Sequence, residues 1–310
     1  MPTDIWTIKA ALDWTVGYLE RKGDSNPRLS AEWLMSEATG LARIELYVNF
    51  DKPLSTDERA ILRDFVARRG AGEPLQLISG KVAFRYITLF VEPGVLIPRP
   101  ETEVLVSEAM AELALPRVAD HVSMGEQGEE VVEAQLPEMR VIDLCTGSGC
   151  IACSIASEYP AAQVLALDIA PEALALAQKN VEHLGLAGRV EVRESDLLAA
   201  APVQSYSTYD LVISNPPYVP TQVCNTLPAE VSDWDPRLAL DGGADGLDLF
   251  RRFLPDALEC LKPNGVLAVE LYEGHLFEAC ALAEAAGFNR VRQVNDLAGR
   301  PRVLVARKPE

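Results

Sequence analysis

Asn215-Pro216-Pro217-Tyr218 directly follows the apolar run Leu211-Val212-Ile213 and Ser214. Neither proline can donate to a sheet, and each pushes its predecessor out of the α region. The run therefore reads as a buried strand cut off at its carboxyl tip, the edge where open α/β sheets bind ligands. Asn215 Oδ1 and the Pro216 carbonyl form a rigid pair of acceptors, each able to take one N–H of a planar NH2 group. Such a grip leaves the nitrogen's π face turned to an electrophile, and the Tyr218 ring can pack against the gripped plane. Standing alone, Asn-Pro-Pro is as readily a plain strand exit. A second motif upstream gives it a partner.

Asp143-Leu144-Cys145-Thr146-Gly147-Ser148-Gly149 lies at the exit of another apolar strand. Its glycines let a ligand approach the backbone, and a helix beginning near Cys150 offers unpaired N–H groups. Asp168 ends the next strand, where a carboxylate can accept both hydroxyls of a ribose. Thr-Gly-Ser-Gly is not the G-x-G-x-x-G that admits a pyrophosphate, which favours S-adenosylmethionine over a dinucleotide. Ser195-Asp196-Leu197, after a third strand, supplies a carboxylate for an adenine amino group and an apolar side chain for its face.

These motifs need a scaffold, and the chain's periodicity supplies one. Residues 1–80 read as a helical module: Ile8, Leu12, Val16 and Leu19 share a face, Asn26-Pro27 opens a helix bearing Leu34, Ala38 and Leu41, and 55–69 form another. In that last helix Asp57 and Glu58 open and Arg68 and Arg69 close, matching the helix dipole. The module is expected to serve substrate recognition. Residues 81–98 alternate with period two around Pro93-Gly94 and predict a connecting β-hairpin. A helix follows, with Pro100 in its first turn. Residues 116–139 read as an acidic, mobile insertion. From Val141 onward strands and helices alternate, which predicts a mostly parallel, doubly wound sheet covered on both faces.

With 310 residues the chain is expected to hold about two domains. Its net charge of −18 repels phosphate backbones and suits a basic protein partner; no stable nucleic-acid binding is expected. No signal-peptide pattern opens the chain and no segment could span a bilayer, so a cytoplasmic, monomeric protein is expected. Cys145, Cys150 and Cys153 match the C-x4-C-x2-C spacing of some iron–sulfur ligands. They straddle a glycine turn that has its own explanation and lack an obvious fourth ligand, so small buried residues are expected and no metal site.

The chain resembles class I S-adenosylmethionine-dependent methyltransferases, and more narrowly the HemK/PrmC family of protein-glutamine N5-methyltransferases. Ile97-Pro98-Arg99-Pro100-Glu101-Thr102-Glu103 carries the resemblance, with residues 143–149, Asn215 to Tyr218, Asp235-Pro236-Arg237-Leu238-Ala239-Leu240-Asp241-Gly242-Gly243, Asp245-Gly246-Leu247 and residues 299–303. It implies an α/β fold with a seven-stranded sheet across a methyltransferase domain of residues 99–310, behind a small helical domain. It also implies methyl transfer from S-adenosylmethionine, leaving S-adenosylhomocysteine, to a glutamine in the GGQ loop of peptide-chain release factors. Cys145, Thr146, Gly147, Ser148 and Gly149 would then hold the cofactor's methionine part, Asp168 its ribose and Leu197 its adenine. Asn215, Pro216, Pro217 and Tyr218 would hold the substrate glutamine, with Asn215 and Pro216 catalytic and Asn215 also beside the cofactor. The chain departs from the family pattern at Cys145 (usually Gly), Leu197 (often aromatic) and Tyr272 (commonly Gly after a strand-end acid, here Glu270). A ribosomal protein, the target of a sister family, remains an alternative substrate. An adenine-N6 nucleic-acid methyltransferase is a further alternative, since it shares the same strand tip.

Overall fold

A computed structural model describes residues 6–113, 122–124, 130–132, 136–201 and 207–310. Contacts divide the chain into two compact units, Met1–Lys81 with Pro228–Trp234, and Val82–Leu227 with Asp235–Glu310. The first is helical: α1 (Ile8–Arg21), α2 (Pro27–Thr39), α3 (Arg43–Val48), α4 (Thr56–Gly70) and α5 (Leu75–Ser79). Thr7 caps α1, and Ser55 and Glu58 close a reciprocal capping box at the start of α4. Ile8, Leu12, Leu19, Leu34, Met35 and Leu62 form the unit's core, all nearly inaccessible to solvent. Gly40, at φ 68, stops α2 before Leu41, so Leu41 packs on this core from the following turn and not from the helix.

The second unit opens with a hairpin, β1 (Lys81–Phe84) and β2 (Ile87–Phe90). Its turn falls at Arg85-Tyr86, with Arg85 at φ 50, and not at Pro93-Gly94 as the alternation predicts. Val95 and Ile97 are buried but lie outside any strand. Next come α6 (Pro100–Glu112) and two short antiparallel strands, β3 (Val122–Met124) and β4 (Glu130–Val132). The rest of the expected insertion, up to 135, lies outside the described residues.

The sheet and its helices follow: β5 (Met139–Leu144), α7 (Cys150–Glu158), β6 (Ala162–Asp168), α8 (Pro171–His183), β7 (Val190–Glu194), β8 (Tyr209–Ser214) and α9 (Thr221–Cys224). After α10 (Ala229–Ser232), which belongs to the helical unit, come α11 (Arg237–Leu240), α12 (Asp248–Cys260), β9 (Leu261–Glu270), α13 (Leu276–Ala286), β10 (Asn289–Asn295) and β11 (Pro301–Arg307).

Seven strands pair in the order β10-β11-β9-β8-β5-β6-β7. β11 runs antiparallel to both neighbours and the other pairs are parallel, as in class I methyltransferases. Two apolar layers cover the faces, one including Ile151, Ile155 and Val141, the other Phe250, Phe253 and Val212. The chain runs outward from β5 through β6 to β7, then returns to lay β8 on the other side of β5. That reversal between β5 and β8 opens the crevice in which such sheets bind ligands.

Candidate functional site

Register delivers the two motifs to one place. Leu144 pairs with Ser214 across the β5–β8 ladder, so the next residues, Cys145 and Asn215, leave the sheet side by side. Ser214 Oγ donates to the Leu144 carbonyl at 2.6 Å and ties the two tips together. Asp168 ends β6 on the far side of β5, and Ser214 pairs with Val269 of β9, which puts Glu270 next to Asn215. A cavity of about 500 Å³ opens over these ends. Cys145, Thr146, Gly147, Ser148, Asp168, Asp196, Leu197, Asn215 and Pro217 all line it.

The glycine loop is braced from beneath. Buried Asp143 accepts from Thr146 Oγ1 at 2.5 Å and from the Ala152 amide at 3.1 Å. Burial, the larger influence, outweighs those bonds and pushes Asp143 up to about 7. From the cavity side, Asp168 accepts the Gly147 amide at 2.9 Å and the Ala170 amide at 3.0 Å. Each carboxylate oxygen keeps a further lone pair for a ribose hydroxyl. Asn180 of α8 clamps the loop from a third side, donating to the carbonyls of Ser148 and Phe90 and accepting the Phe90 amide.

Two departures from the family pattern have a local geometry. Cys145, at φ 59, and Leu197, at φ 53, both hold left-handed backbone, where glycine is the unstrained choice. The Cys145 thiol is pushed up, chiefly by burial and next by Asp168, which favours its protonated form. Cys150 and Cys153 are buried core residues, and all six cysteines are free. Among the described residues no cluster of His, Cys, Asp and Glu could hold a metal. Gly149, at φ 79, serves packing: a Cβ there would lie 3.3 Å from Ala177 of α8.

The cavity is suited to a cationic, hydrogen-bonding cofactor such as S-adenosylmethionine. Ser148, whose Oγ is buried without a partner, lines the cavity, and Asp168 and Glu172 stand on its wall with no ion pair among the described residues. At Gly147 an added Cβ would meet only Val95, at 4.0 Å, so backbone and not side chain faces a ligand there. Asp196 also lines the wall, but Arg252 Nη2 donates to both its oxygens at 2.9 and 3.0 Å. An adenine amino group would therefore share Asp196 with Arg252.

At the strand tip, Asn215 Nδ2 donates to Thr102 Oγ1 at 3.0 Å, and among the described residues nothing donates to Asn215 Oδ1 or to the Pro216 carbonyl. The acceptor pair is thus unspent. Tyr218 differs from expectation. Its ring packs on the apolar layer that includes Phe250 and does not line the cavity, because its phenol donates to the buried Glu270 carboxylate at 2.9 Å. Burial, with Glu270 alongside, pushes the phenol well above its ordinary value and keeps it a donor.

The Leu-Asp-Gly-Gly segment explains itself here. The Val219 amide donates to the Leu240 carbonyl and the Gly242 amide to Val219, each at 2.8 Å, laying this segment flat on the strand tip. A Cβ on Gly242 would lie 2.7 Å from Tyr218 Cα, and one on Gly246 2.3 Å from the Tyr218 carbonyl. Both must be glycine for the tip to hold its course. Arg99, from the Arg-Pro-Glu-Thr-Glu segment, pairs with buried Asp235 and brings the two motifs together over the cavity. As supports, Thr102 and Asp235 carry no sequence signal beyond membership of their motifs, and Asn180 carries none. Neither histidine among the described residues faces the cavity: His183 packs on Phe90, and His275 packs on Tyr272.

Known proteins agree with this geometry. The family model for the PrmC N-terminal domain matches residues 10–80, and that for the methyltransferase small domain matches 127–229. The release factor glutamine methyltransferase of Geobacter sulfurreducens is 43% identical over 98% of each chain. That of Rhodopirellula baltica is 38% identical, covering 98% of this chain and 97% of its own. Among solved structures, the hMettl16 catalytic domain in complex with a 3′UTR hairpin superposes with TM-score 0.52 at 17% identity, over 71% of this chain and 74% of that one, and shares the fold alone. With full-length similarity of that degree added to the glycine loop, the proline-capped tip and the Leu-Asp-Gly-Gly brace, the chain belongs to the release factor glutamine methyltransferase family.

Proposed function

We propose that this chain methylates the side-chain nitrogen of a glutamine in peptide-chain release factors, using S-adenosylmethionine held over the carboxyl ends of β5, β6 and β8. The observation that carries the reading is Asn215 Oδ1, unspent and on the cavity wall beside the glycine loop, followed by a Pro216 carbonyl that is likewise free, on a residue that is itself buried. Residues 145–148 and Asp168, which line the cavity, would hold the cofactor, with Leu197 against its adenine, while Gly149 packs on α8. The bound cofactor supplies a methyl group made electrophilic by the adjoining sulfonium.

A primary amide nitrogen is a weak nucleophile because its lone pair is delocalised into its carbonyl. Asn215 Oδ1 and the Pro216 carbonyl each accept one N–H of the substrate amide, fixing its plane and favouring pyramidal nitrogen as it attacks. Their dipoles also oppose the positive charge that grows on nitrogen. Orientation of this kind can supply about 7–11 kcal/mol of a barrier. The extra proton becomes acidic only as the new bond forms, so no general base is needed before attack, which agrees with the absence of histidine from the cavity wall among the described residues. Pro217 lines the wall beside the grip; Tyr218 acts from behind it, through Glu270.

The helical unit would recognise the protein substrate. It carries none of the cofactor residues, yet exposes Trp14 beside a cavity of about 400 Å³ walled by Trp6, Tyr18 and Leu62. Among the described residues no helix is long and apolar enough to cross a membrane, and a translation factor as substrate points to the cytoplasm. The test offers a release factor, ribosomal proteins and DNA side by side with labelled S-adenosylmethionine. Label on a release-factor glutamine is expected; label confined to ribosomal protein or DNA would overturn the assignment.

A further inference from the structure

We propose that Glu270 is a positioning residue which, through Thr102, decides which end of the Asn215 carboxamide faces the cavity. The two ends are nearly isosteric, so hydrogen bonding and not shape must choose between them. Productive grip needs Oδ1 outward. With Nδ2 outward, N–H would meet N–H of the substrate amide and the contact would repel.

The choice is made by a one-way relay. Glu270, at the end of β9, is 1% exposed and accepts from Thr102 Oγ1 at 2.8 Å and from the Tyr218 hydroxyl at 2.9 Å. A threonine hydroxyl has a single hydrogen. Because Thr102 gives it to the carboxylate, its oxygen can only accept from Asn215, at 3.0 Å, and the group placed there must be Nδ2. Oδ1 is thereby turned outward. The second Glu270 oxygen holds Tyr218, so both ends of Asn215-Pro216-Pro217-Tyr218 are tethered to one buried carboxylate, and the prolines between them leave little freedom. Thr102 belongs to α6 and Glu270 to β9, so the relay fixes the grip against two elements of the sheet's framework.

Glu270→Gln keeps size and burial but breaks the one-way rule: a glutamine NH2 can donate to Thr102, which then donates to Asn215 Oδ1 and turns the carboxamide over. The inference rests on the proposed methyl transfer for its kinetic consequence but not for its structural one, so two readouts are used on the full chain. The first is hydrogen exchange of the Asn215 side-chain amide by 15N NMR, which needs no substrate. Slow exchange is expected in the wild type and about tenfold faster exchange in Glu270→Gln. The second is methyl transfer to a release factor, where kcat should fall about 10²-fold while the cofactor KM and the melting temperature stay near those of the parent. Thr102→Val should lose as much, and Thr102→Ser, which retains the hydroxyl, should recover most of the rate. Asn215 exchange that is unchanged in Glu270→Gln would overturn the inference. So would a loss of rate that tracks the melting temperature, or a Thr102→Val enzyme as fast as the parent. A wild-type chain that leaves release factors unmethylated would sink the function proposed above, while the exchange experiment would still decide the relay.

Discussion

Two glutamates, one in each compact unit, are almost equally hidden from solvent, Glu32 at 2% exposure and Glu270 at 1%, and they are treated in opposite ways. Burial raises the pKa of both. At Glu32 that influence is outweighed by hydrogen bonds from Tyr47 at 2.5 Å, Arg43 at 2.8 Å and Arg28 at 2.6 Å, and the carboxyl falls to about 2. At Glu270, among the described residues, only hydroxyls donate, and burial raises the carboxyl above its ordinary range against the lowering influence of the Thr102 and Tyr218 bonds and of Arg302, with Glu101 adding a smaller rise. A carboxylate satisfied by guanidinium groups is a structural rivet for α2 and α3. One left to two hydroxyls is an expensive way to hold a helix and a sensible way to dictate which way hydroxyl protons point. Exposure alone would not have distinguished them; the donors do.

The contrast can be broken experimentally. The largest expected separation is in the chemistry: Glu270→Gln lowers kcat about 10²-fold, whereas Glu32→Gln leaves kcat within about twofold once the protein is folded. Equal kinetic losses in both variants would erase the distinction. Stability should show the reverse order. Glu32→Ala strands two arginines and a tyrosine, and because the arginines can still reach water the loss should be about 1–3 kcal/mol by denaturant titration.

Acid sharpens the same comparison. Glu32 has its folded pKa depressed to about 2 from an ordinary 4.5, so its contribution is complete above about pH 4.5 and drains away as the pH falls toward 2. Glu270, shifted the other way, carries a cost in its charged form that acid relieves. Amide protection in α2, measured against the intrinsic exchange rate at each pH, should therefore fall between pH 4.5 and 2 in the wild type, and this acid sensitivity should be missing from Glu32→Gln. Smaller again is the effect at the cofactor end. Asp168→Ala should weaken S-adenosylmethionine binding by about tenfold in calorimetry, since a charged acceptor of two hydroxyls contributes on the order of 1.5–3 kcal/mol of which water recovers part.

Much of this was legible in the sequence because it is written locally. The strand tip is announced by two prolines, the cofactor loop by glycines after an apolar strand, and the sheet by alternating periodicities. Even Cys145 and Leu197, which depart from the family pattern, mark positions where the backbone turns left-handed. What escaped is what depends on distant partners. Pro93-Gly94 has the better turn residues, yet the hairpin turns at Arg85 because that side chain is anchored by Glu158, the Glu103 carbonyl and Ser107, none of them local. Tyr218 seemed available to the substrate until a carboxylate 52 residues further on took its hydroxyl. Thr102 and Glu270 stand 168 residues apart, and no period or motif spacing reveals a hydrogen bond over that interval.

The central claim is that an unspent pair of acceptors at the tip of β8 grips the amide to be methylated, and Asn215→Ala tests it most directly. Single-turnover methyl transfer to a release factor should fall about 10³-fold, with the cofactor dissociation constant changed by no more than about threefold. An Asn215→Ala enzyme that methylates at near the parental rate, or one whose loss is explained entirely by failure to bind S-adenosylmethionine, would contradict the account.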